Sequence, residues 1–339
     1  MRTLNIILII FTIFIFNFPV NAANQIYTIQ NNITDFNFEV ENNFTRINFE
    51  SNSAIVKNFI PGHPEIPVII YKLIIPENQT ISSIEVINYI ETELSGNFNI
   101  YPVQKLFVIG ETKTFTIPET NIYNSDQIYP SRLVKHTHTG NFSGHRIASI
   151  LVYPVRYNPV KQKLYFYDEI VFQITYSYNN KALVKPERLF QFDIDRINKV
   201  IKKMVENPED ILANKPYIEE QKLDQGIEVT NAPSAQGLGV RYLIITSDAL
   251  ANSFESLKEW KNKTGVTAEI RSLEWIKANV NPGVDDAETI RNFIKWAYQK
   301  WGTQYVLLGG DADIIPTRFV FTNDLTVSTD MYYSDLAGN

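Results

Sequence analysis

The sequence predicts two differently built regions, an N-terminal antiparallel β-sandwich followed by an α/β domain with a parallel sheet. In the first region, short apolar stretches alternate with polar residues and are separated by Asn, Pro and Gly, a pattern typical of antiparallel sandwiches. From Val240 onward, strand-like and helix-like stretches alternate, which indicates parallel strands joined by right-handed crossovers. A length of 339 residues with 44% hydrophobic residues fits two domains, each with its own core.

Residues 1–22 have the parts of a secretory signal peptide. Arg2 supplies a positive charge, residues 6–16 are apolar except for one threonine, and Val20 and Ala22 are small residues before a cleavage point. An uncleaved anchor is the weaker alternative, because the apolar run is shorter than the ~20 residues that span a bilayer. We therefore expect cleavage after Ala22, secretion or display at the cell surface, and no membrane span in the mature protein.

Residues 23–184 are predicted to form the β-rich region. Apolar and polar residues alternate from 36 to 40, and the stretch from 163 to 176 is enriched in β-branched and aromatic side chains. A further strand is predicted from Val68 to Ile75, with a proline on each side.

Residues 185–239 are predicted to contain one helix and an exposed linker. Apolar residues recur at helical spacing from Asp193 to Glu206, and Asn207-Pro208 ends the pattern. The stretch from Asn214 to Gly239 is polar, with scattered proline, glycine and basic residues. We expect a protease to reach it.

Residues 240–339 are predicted to begin an α/β domain. The predicted strands are Tyr242–Thr246, Val266–Ile270 and Tyr305–Leu308. The predicted helices are one capped by Ser247 or Asp248 with Leu250, Phe254, Leu257 and Trp260 on its apolar face, a short one from Leu273 to Ala278, and a longer one capped by Asp285 and Asp286 and stopped by Gly302.

Composition and missing motifs argue against several classes of function. The net charge of −6 leaves no basic excess to meet phosphates, so no nucleic-acid partner is expected. The turn from Thr246 to Ala249 has no glycine, which argues against a phosphate-binding loop, and no Gly-x-Ser-x-Gly elbow occurs. The 339 residues contain no cysteine, so they supply neither a thiol nucleophile nor a thiolate ligand.

The four histidines, His63, His136, His138 and His145, all fall in the β-rich region. On a regular strand His136 and His138 would share one face, and His145 could approach them through a hairpin, which would begin a metal site. No Asp, Glu or Cys lies close in sequence to complete the ligand set. We therefore favour two exposed histidines on a polar strand.

The acids after residue 305 form the best candidate site. Asp311 follows the third predicted strand, so its carboxylate is expected at the carboxyl edge of the sheet, where function gathers in open α/β sheets. Asp313, Asp330 and Asp335 are hypothesised to converge there, and their oxygens suit a hard cation such as calcium. The alternative is that Asp311 caps a turn by accepting backbone N–H bonds. Chemistry alone favours the turn.

A set of short segments from residue 240 onward is specific as a group. In order they are Tyr242–Thr246, Leu257–Lys261, Thr264-Gly265, Ile290–Ile294, Tyr305–Asp311, Ile315-Pro316, and Thr329–Tyr333 followed by Asp335. This set resembles the opening of the catalytic domain of the gingipain family of cysteine peptidases. Upstream, Tyr153–Pro159 and the strands after it resemble the pro-domain of that family.

The resemblance implies a zymogen with a β-sandwich pro-domain and a caspase-like α/β catalytic domain. It implies that the pro-domain covers its own catalytic domain, and that a His/Cys pair cleaves protein or peptide substrates. That pair is expected downstream of Asn339, so the chain is interpreted as truncated within the catalytic domain and inactive as it stands.

The resemblance also implies a structural calcium ion, with Asp311 as a carboxylate ligand and Ala337 as a backbone-carbonyl ligand. Two alternatives to the peptidase stay open. One is a transpeptidase of the same fold on a secretion pathway. The other is a non-catalytic β-sandwich module that binds or adheres at a surface.

Overall fold

The computed structural model describes residues 24–49, 55–107, 110, 112–179, 183–187, 189–213, 239–321 and 326–336. The predicted signal peptide, most of the predicted linker and Ala337 lie outside these residues. Within the ranges described, no helix is both long enough and apolar enough to cross a membrane.

Up to residue 179 the chain is built almost entirely from strands. In chain order they are β1 (Asn24–Gln30), β2 (Phe36–Glu41), β3 (Phe44–Phe49), β4 (Ile55–Lys57), β5 (Pro67–Ile74), β6 (Gln79–Glu93), β7 (Val134–Phe142), β8 (His145–Val152), β9 (Val155–Asn158) and β10 (Lys163–Tyr178), with the short helix α1 (Thr120–Tyr123) between β6 and β7.

These strands form two four-stranded antiparallel sheets and a separate hairpin. One sheet has the order β1-β10-β6 with β9 also paired to β10, the other has the order β4-β5-β8-β7, and β2 pairs with β3. One buried cluster draws on both sheets, with Ile29 and Phe172 from the first and Leu73 and Ile150 from the second. The two sheets therefore pack face to face, which confirms the predicted antiparallel sandwich.

The strand β10 organises the first sheet. It is 16 residues long and pairs with β1, β6 and β9. Its residues Ile170, Phe172 and Ile174 are fully buried, while the residues between them are only half-buried. This alternation is what a strand with one face on the core produces, and it explains the composition of the stretch from 163 to 176.

A helical segment follows the sandwich, with α2 (Gln191–Met204) and α3 (Asp210–Ala213). The prediction located α2 correctly and placed each of its ends two residues too late. Ile197 and Ile201 of α2 pack against Ile74 and Ile147 of the second sheet. The helix therefore lies on the sandwich.

The second region alternates strands and helices. Its elements are β11 (Tyr242–Thr246), α4 (Asp248–Ala251), α5 (Glu255–Lys263), β12 (Ala268–Ser272), α6 (Leu273–Asn279), α7 (Asp286–Trp301), β13 (Tyr305–Gly309), β14 (Arg318–Phe321), β15 (Thr326–Thr329) and α8 (Met331–Ser334). β11 pairs in parallel with both β12 and β13, in the order β12-β11-β13. This confirms the predicted parallel sheet.

The core of the second region lies between the sheet and two helices. Leu243 and Ile245 of β11 share a buried cluster with Ile276 of α6 and with Phe293 and Trp301 of α7. The ends of α7 are fixed as the sequence predicts. The Asp285 carboxylate accepts from the Glu288 N–H at 2.9 Å, and Gly302 ends the helix in the left-handed conformation at φ 69°.

The predicted single helix after β11 is wrong, because the structure interrupts it with a 3₁₀ turn at Asn252–Phe254. Asn and Ser side chains favour such turns over helix interiors, which explains the break. Trp260, expected on the buried face, is 56% exposed, with the Lys261 ammonium 5.1 Å from its ring centre. The N-cap position is Ser247, as predicted, but its side chain makes no capping hydrogen bond, and the Asp248 N–H donates to Glu274 Oε2 at 3.0 Å.

Candidate functional site

The strand β13 leads to the carboxyl edge of the sheet through two crowded glycines. A Cβ atom on Gly309 would lie 2.7 Å from the ring of Phe254. A Cβ atom on Gly310, whose φ is +153°, would lie 2.7 Å from Cβ of Ile314. These close approaches require glycine, and they place Asp311 just beyond the strand, where the sequence predicts it.

Asp311 is exposed and caps the turn that follows β13. Its carboxylate oxygen Oδ1 accepts from the Asp313 N–H at 3.1 Å. Its carbonyl accepts from the N–H groups of Ile314 and Ile315 at 3.0 and 2.8 Å, and Ile315 is buried. The turn-capping alternative describes these contacts, while the role of Asp311 as a calcium ligand stays a prediction.

The other acids of this segment do not assemble a metal site. Across the described residues, no group of three or more His, Cys, Asp or Glu side chains is placed to hold a metal ion. Asp330 lies before α8, and its carbonyl accepts from the Tyr333 N–H at 3.0 Å. The carbonyl of Asp335 accepts from Arg291 Nε at 2.8 Å. The predicted convergence of these carboxylates into a metal-binding group is therefore wrong for the described residues.

Two guanidinium groups, one from α7 and one from β14, contact α8. The guanidinium carbons of Arg291 and Arg318 are 4.8 and 4.7 Å from the centre of the Tyr332 ring. Tyr333 is buried, its hydroxyl donates to the carbonyl of Pro316, and burial raises the pKa of Tyr333 to about 12. The Tyr-Tyr-x-Asp segment is thus a structural corner.

Asp285 joins this corner to the start of α7. Its Oδ2 accepts from Arg318 Nη2 at 2.6 Å while Oδ1 caps the helix. The Glu288 N–H bond, and after it the Arg318 guanidinium, lower the pKa of Asp285. One carboxylate therefore stabilises both the helix terminus and the segment that carries β14.

The anchoring role of Arg291 was missed by the sequence analysis. Arg291 is 8% exposed and lies on the buried side of α7, between Ala287 and Ile294 at helical spacing. A buried arginine needs hydrogen-bond acceptors, so its position on the apolar face was the signal that could have identified it.

The histidines also differ from the predicted arrangement. A bulge in β7 makes His136 pair with Ile150 and His138 pair with Ser149. Because Ile150 and Ser149 are consecutive, the two imidazoles point to opposite faces of the sheet, so the predicted shared face is wrong. His145 lies in β8 with its Nδ1 3.2 Å from the carbonyl of Ser143.

The two regions face each other across a cavity of about 840 Å³. One wall is the β7–β8 hairpin, residues 141–144, and the other includes Tyr298, Leu307 and the residues of α8. A Cβ atom on Gly144 at the hairpin tip would lie 4.0 Å from the Tyr298 hydroxyl, and burial raises the pKa of Tyr298. The sandwich therefore contacts the second region close to the candidate corner.

Comparison with known proteins finds one matching family model for each region. The family model for the C25 propeptide matches residues 25–215, and the model for peptidase family C25 matches residues 236–339. Gingipain R2 of Porphyromonas gingivalis (strain ATCC BAA-308 / W83) is 25% identical over 224 residues, which are 64% of this chain and 26% of that protein. The chain thus spans about a quarter of the length of that relative.

Two solved structures also show similarity. A complex of Porphyromonas gingivalis RgpB pro- and mature domains is 19% identical with a TM-score of 0.44, over 56% of this chain and 94% of that one. A structure concerning the zymogenic latency of gingipain K from the same organism is 16% identical with a TM-score of 0.36, over 45% of this chain and 100% of that one. Since the propeptide model alone matches more than half of its residues, the chain belongs to the C25 family of gingipain-like cysteine peptidase precursors.

Proposed function

We propose that this chain is part of the zymogen of a secreted cysteine endopeptidase, in which the sandwich keeps the peptidase domain latent. The observation that carries the proposal is the order of the two family matches, propeptide before peptidase, on one chain whose two regions are in contact. The 339 residues contain no cysteine. The proposal therefore assigns the nucleophilic thiolate and its histidine partner to a part of the protein outside these residues.

The proposed route to activity has two steps before catalysis. Residues 1–22 direct export and are removed after Ala22. Cleavage then occurs where the two matched regions meet, in the polar stretch from 214 to 238, which contains Lys215 and Lys222. The remaining boundaries, a pro-domain over residues 23–184 and a peptidase domain from residue 240, are part of the same proposal.

A calcium ion is proposed to brace the corner after β13. Asp311 supports this proposal, because its carboxylate is exposed and calcium is bound by oxygen ligands. The turn that carries Asp311 is hydrogen-bonded to buried Ile315. Ala337 is proposed to add a backbone carbonyl. Calcium should raise the melting temperature of the whole precursor, and Asp311→Ala should weaken that protection while Asp313→Ala does not. Equal protection in both variants would remove Asp311 from the site.

The test of the peptidase uses the product of the complete gene. Immobilised trypsin cuts the purified precursor and is removed, and hydrolysis of peptide substrates is measured before and after the cut. We expect activity only after the cut, and we expect iodoacetamide to abolish it by alkylating one cysteine. A cut protein without thiol-dependent activity would favour the non-catalytic surface module. Transfer of the acyl group to an added amine in place of water would favour the transpeptidase.

A further inference from the structure

One buried ion pair joins α2 to the residue that precedes β11. The Asp193 carboxylate is fully buried, and it accepts from Arg241 Nε at 2.8 Å and from Nη2 at 2.7 Å. The side chain of Arg241 is only 11% exposed. A two-point contact between a carboxylate and a guanidinium group is specific in geometry, and burial makes the loss of either partner costly.

Aromatic rings and a second arginine surround this pair. The Arg241 guanidinium carbon lies 5.2 Å from the ring centre of Phe190 and 5.7 Å from that of Phe192. Arg196 Nε is 3.8 Å from Asp193, and the Arg196 guanidinium lies 5.4 Å from the ring centre of Tyr305 at the start of β13. Phe192 is itself 68% exposed, so the burial of the pair is greatest at the Asp193 carboxylate. Through Arg241 and Tyr305 the contact extends to two strands of the parallel sheet.

Further along the same face of α2, at i+4 and i+8 from Asp193, the helix is fixed to the sandwich by different chemistry. Apolar residues of the helix share a core cluster with Ile74 and Ile147. Just beyond the helix, the buried Asn207 side chain accepts from the Ile74 N–H at 2.8 Å and donates to the Ile74 carbonyl at 2.9 Å. The Glu206 N–H donates to the carbonyl of Lys72 at 2.9 Å. α2 is thus attached to the sandwich by burial and to the second region by charge.

A second contact supports the first. The Glu187 N–H donates to the carbonyl of Gln299 at 2.8 Å, and the Glu187 carboxylate pairs with Lys300 near the end of α7. Residues 183–204 therefore reach the second region at two separate points.

The two residues of the pair lie on opposite sides of the proposed cleavage stretch. Asp193 comes before the stretch from 214 to 238 and Arg241 comes after it, so a cut in that stretch leaves the two charges on different pieces. We propose that α2 is a docking helix that keeps the cut propeptide bound, and that the Asp193–Arg241 pair is its specific contact. Its partner is the peptidase domain of the same precursor, which carries the Arg241 guanidinium group directly before its first strand, β11. The inference rests on the proposed function only in taking the cut as part of activation.

The experiment places a recognition sequence for a specific protease within residues 214–238 of the full-length precursor. After cutting, size-exclusion chromatography shows whether the two pieces elute together, and their dissociation rate is measured with the larger piece immobilised. The wild-type pieces should stay together. Asp193→Asn should increase dissociation at least about 30-fold. Asp195→Asn is the matched control, because it removes the same charge from an exposed position of the same helix.

Two further variants keep the proposal testable if Asp193→Asn disturbs folding. Arg241→Gln removes the other partner, and the double variant should dissociate no faster than the faster single variant, because one contact is lost only once. Effects that multiply in the double variant would overturn the proposal, and so would a control variant that dissociates as fast as Asp193→Asn. Wild-type pieces that separate on cutting would overturn it as well. Wild-type pieces that stay together without thiol-dependent activity would refute the peptidase but leave the docking helix intact.

Discussion

The two regions differ in how far apart along the sequence the elements that pack together lie. In the sandwich, β1 pairs with β10, so that Asn24 lies beside Thr175. In the second region, most of the core comes from β11 and from the two helices that follow β12. The sandwich therefore depends on distant contacts, whereas the parallel region depends mainly on contacts between nearby elements.

A central strand of the sandwich and an edge strand of the parallel sheet also differ in exposure. Ile170, Phe172 and Ile174 at the centre of β10 are fully buried, while Tyr305 and Val306 of β13 are 40% and 36% exposed. Parallel sheets are normally covered on both faces. The central strand of the sandwich is thus buried within its own core, while the edge strand β13 of the parallel sheet borders Arg196 of α2 and the β7–β8 hairpin.

The largest expected effect comes from opening the core of the second region. Phe293→Ala removes a fully buried ring that packs against Trp275, Trp296 and Trp301, and it should destabilise that region by about 3–5 kcal/mol. Hydrogen exchange should show lost protection in β11 to α7 and retained protection in β10. The matched variant Phe172→Ala should do the reverse. If either variant lowers protection equally in both regions, the two regions unfold as one unit and the comparison fails.

A smaller effect is expected at the start of α7. Asp285→Ala removes the helix cap and the partner of Arg318, and should cost about 1–2 kcal/mol. Asp286→Ala, one residue later, loses only a surface pair with Lys277 and should change stability by less than about 1 kcal/mol. Chemical denaturation of the full chain measures both. Equal losses would show that the cap does not stabilise the second region.

The smallest effect concerns pH and the sandwich. His145 is buried, and burial followed by the nearby Lys185 charge lowers its pKa, while hydrogen bonds from the ring to the Phe142 and Ser143 carbonyls oppose the shift. The unfolded chain, with a histidine pKa of about 6.5, then binds the proton more readily than the folded chain. Stability should therefore fall as the pH drops through that value.

Melting curves between neutral pH and pH 5 test this effect. His145→Gln should make the melting temperature depend less steeply on pH, and the change in stability should be smaller than that caused by Asp285→Ala. Because burial also lowers the pKa values of His63 and His136, part of the dependence should persist. An unchanged slope in His145→Gln would remove His145 from the effect.

The same difference between regions decides what the sequence could predict. The caps of α7 at Asp285 and Gly302 are local signals, and the structure confirms both. The pairing of β1 with β10 carries no local signal, and neither does the bulge after His136, because both depend on which strands meet.

The candidate site shows the same limit. The place of Asp311 after a buried strand followed from sequence order alone. The contacts of Arg291 with Asp335 and of Asp193 with Arg241 join residues 44 and 48 positions apart, and no spacing rule connects them. Only the apolar setting of Arg291 on its helix gave a hint that a partner was needed.

The pairing of β1 with β10 also sets the order of events when the chain is made. β1 begins at Asn24 but has no partner until Glu169 to Thr175 have been synthesised. Closing so long a loop is slow, because chain entropy is lost before any contact repays it, and folds of such high contact order form late. A nascent chain that has emerged only as far as β8 can therefore complete the second sheet, β4-β5-β8-β7, but not the first.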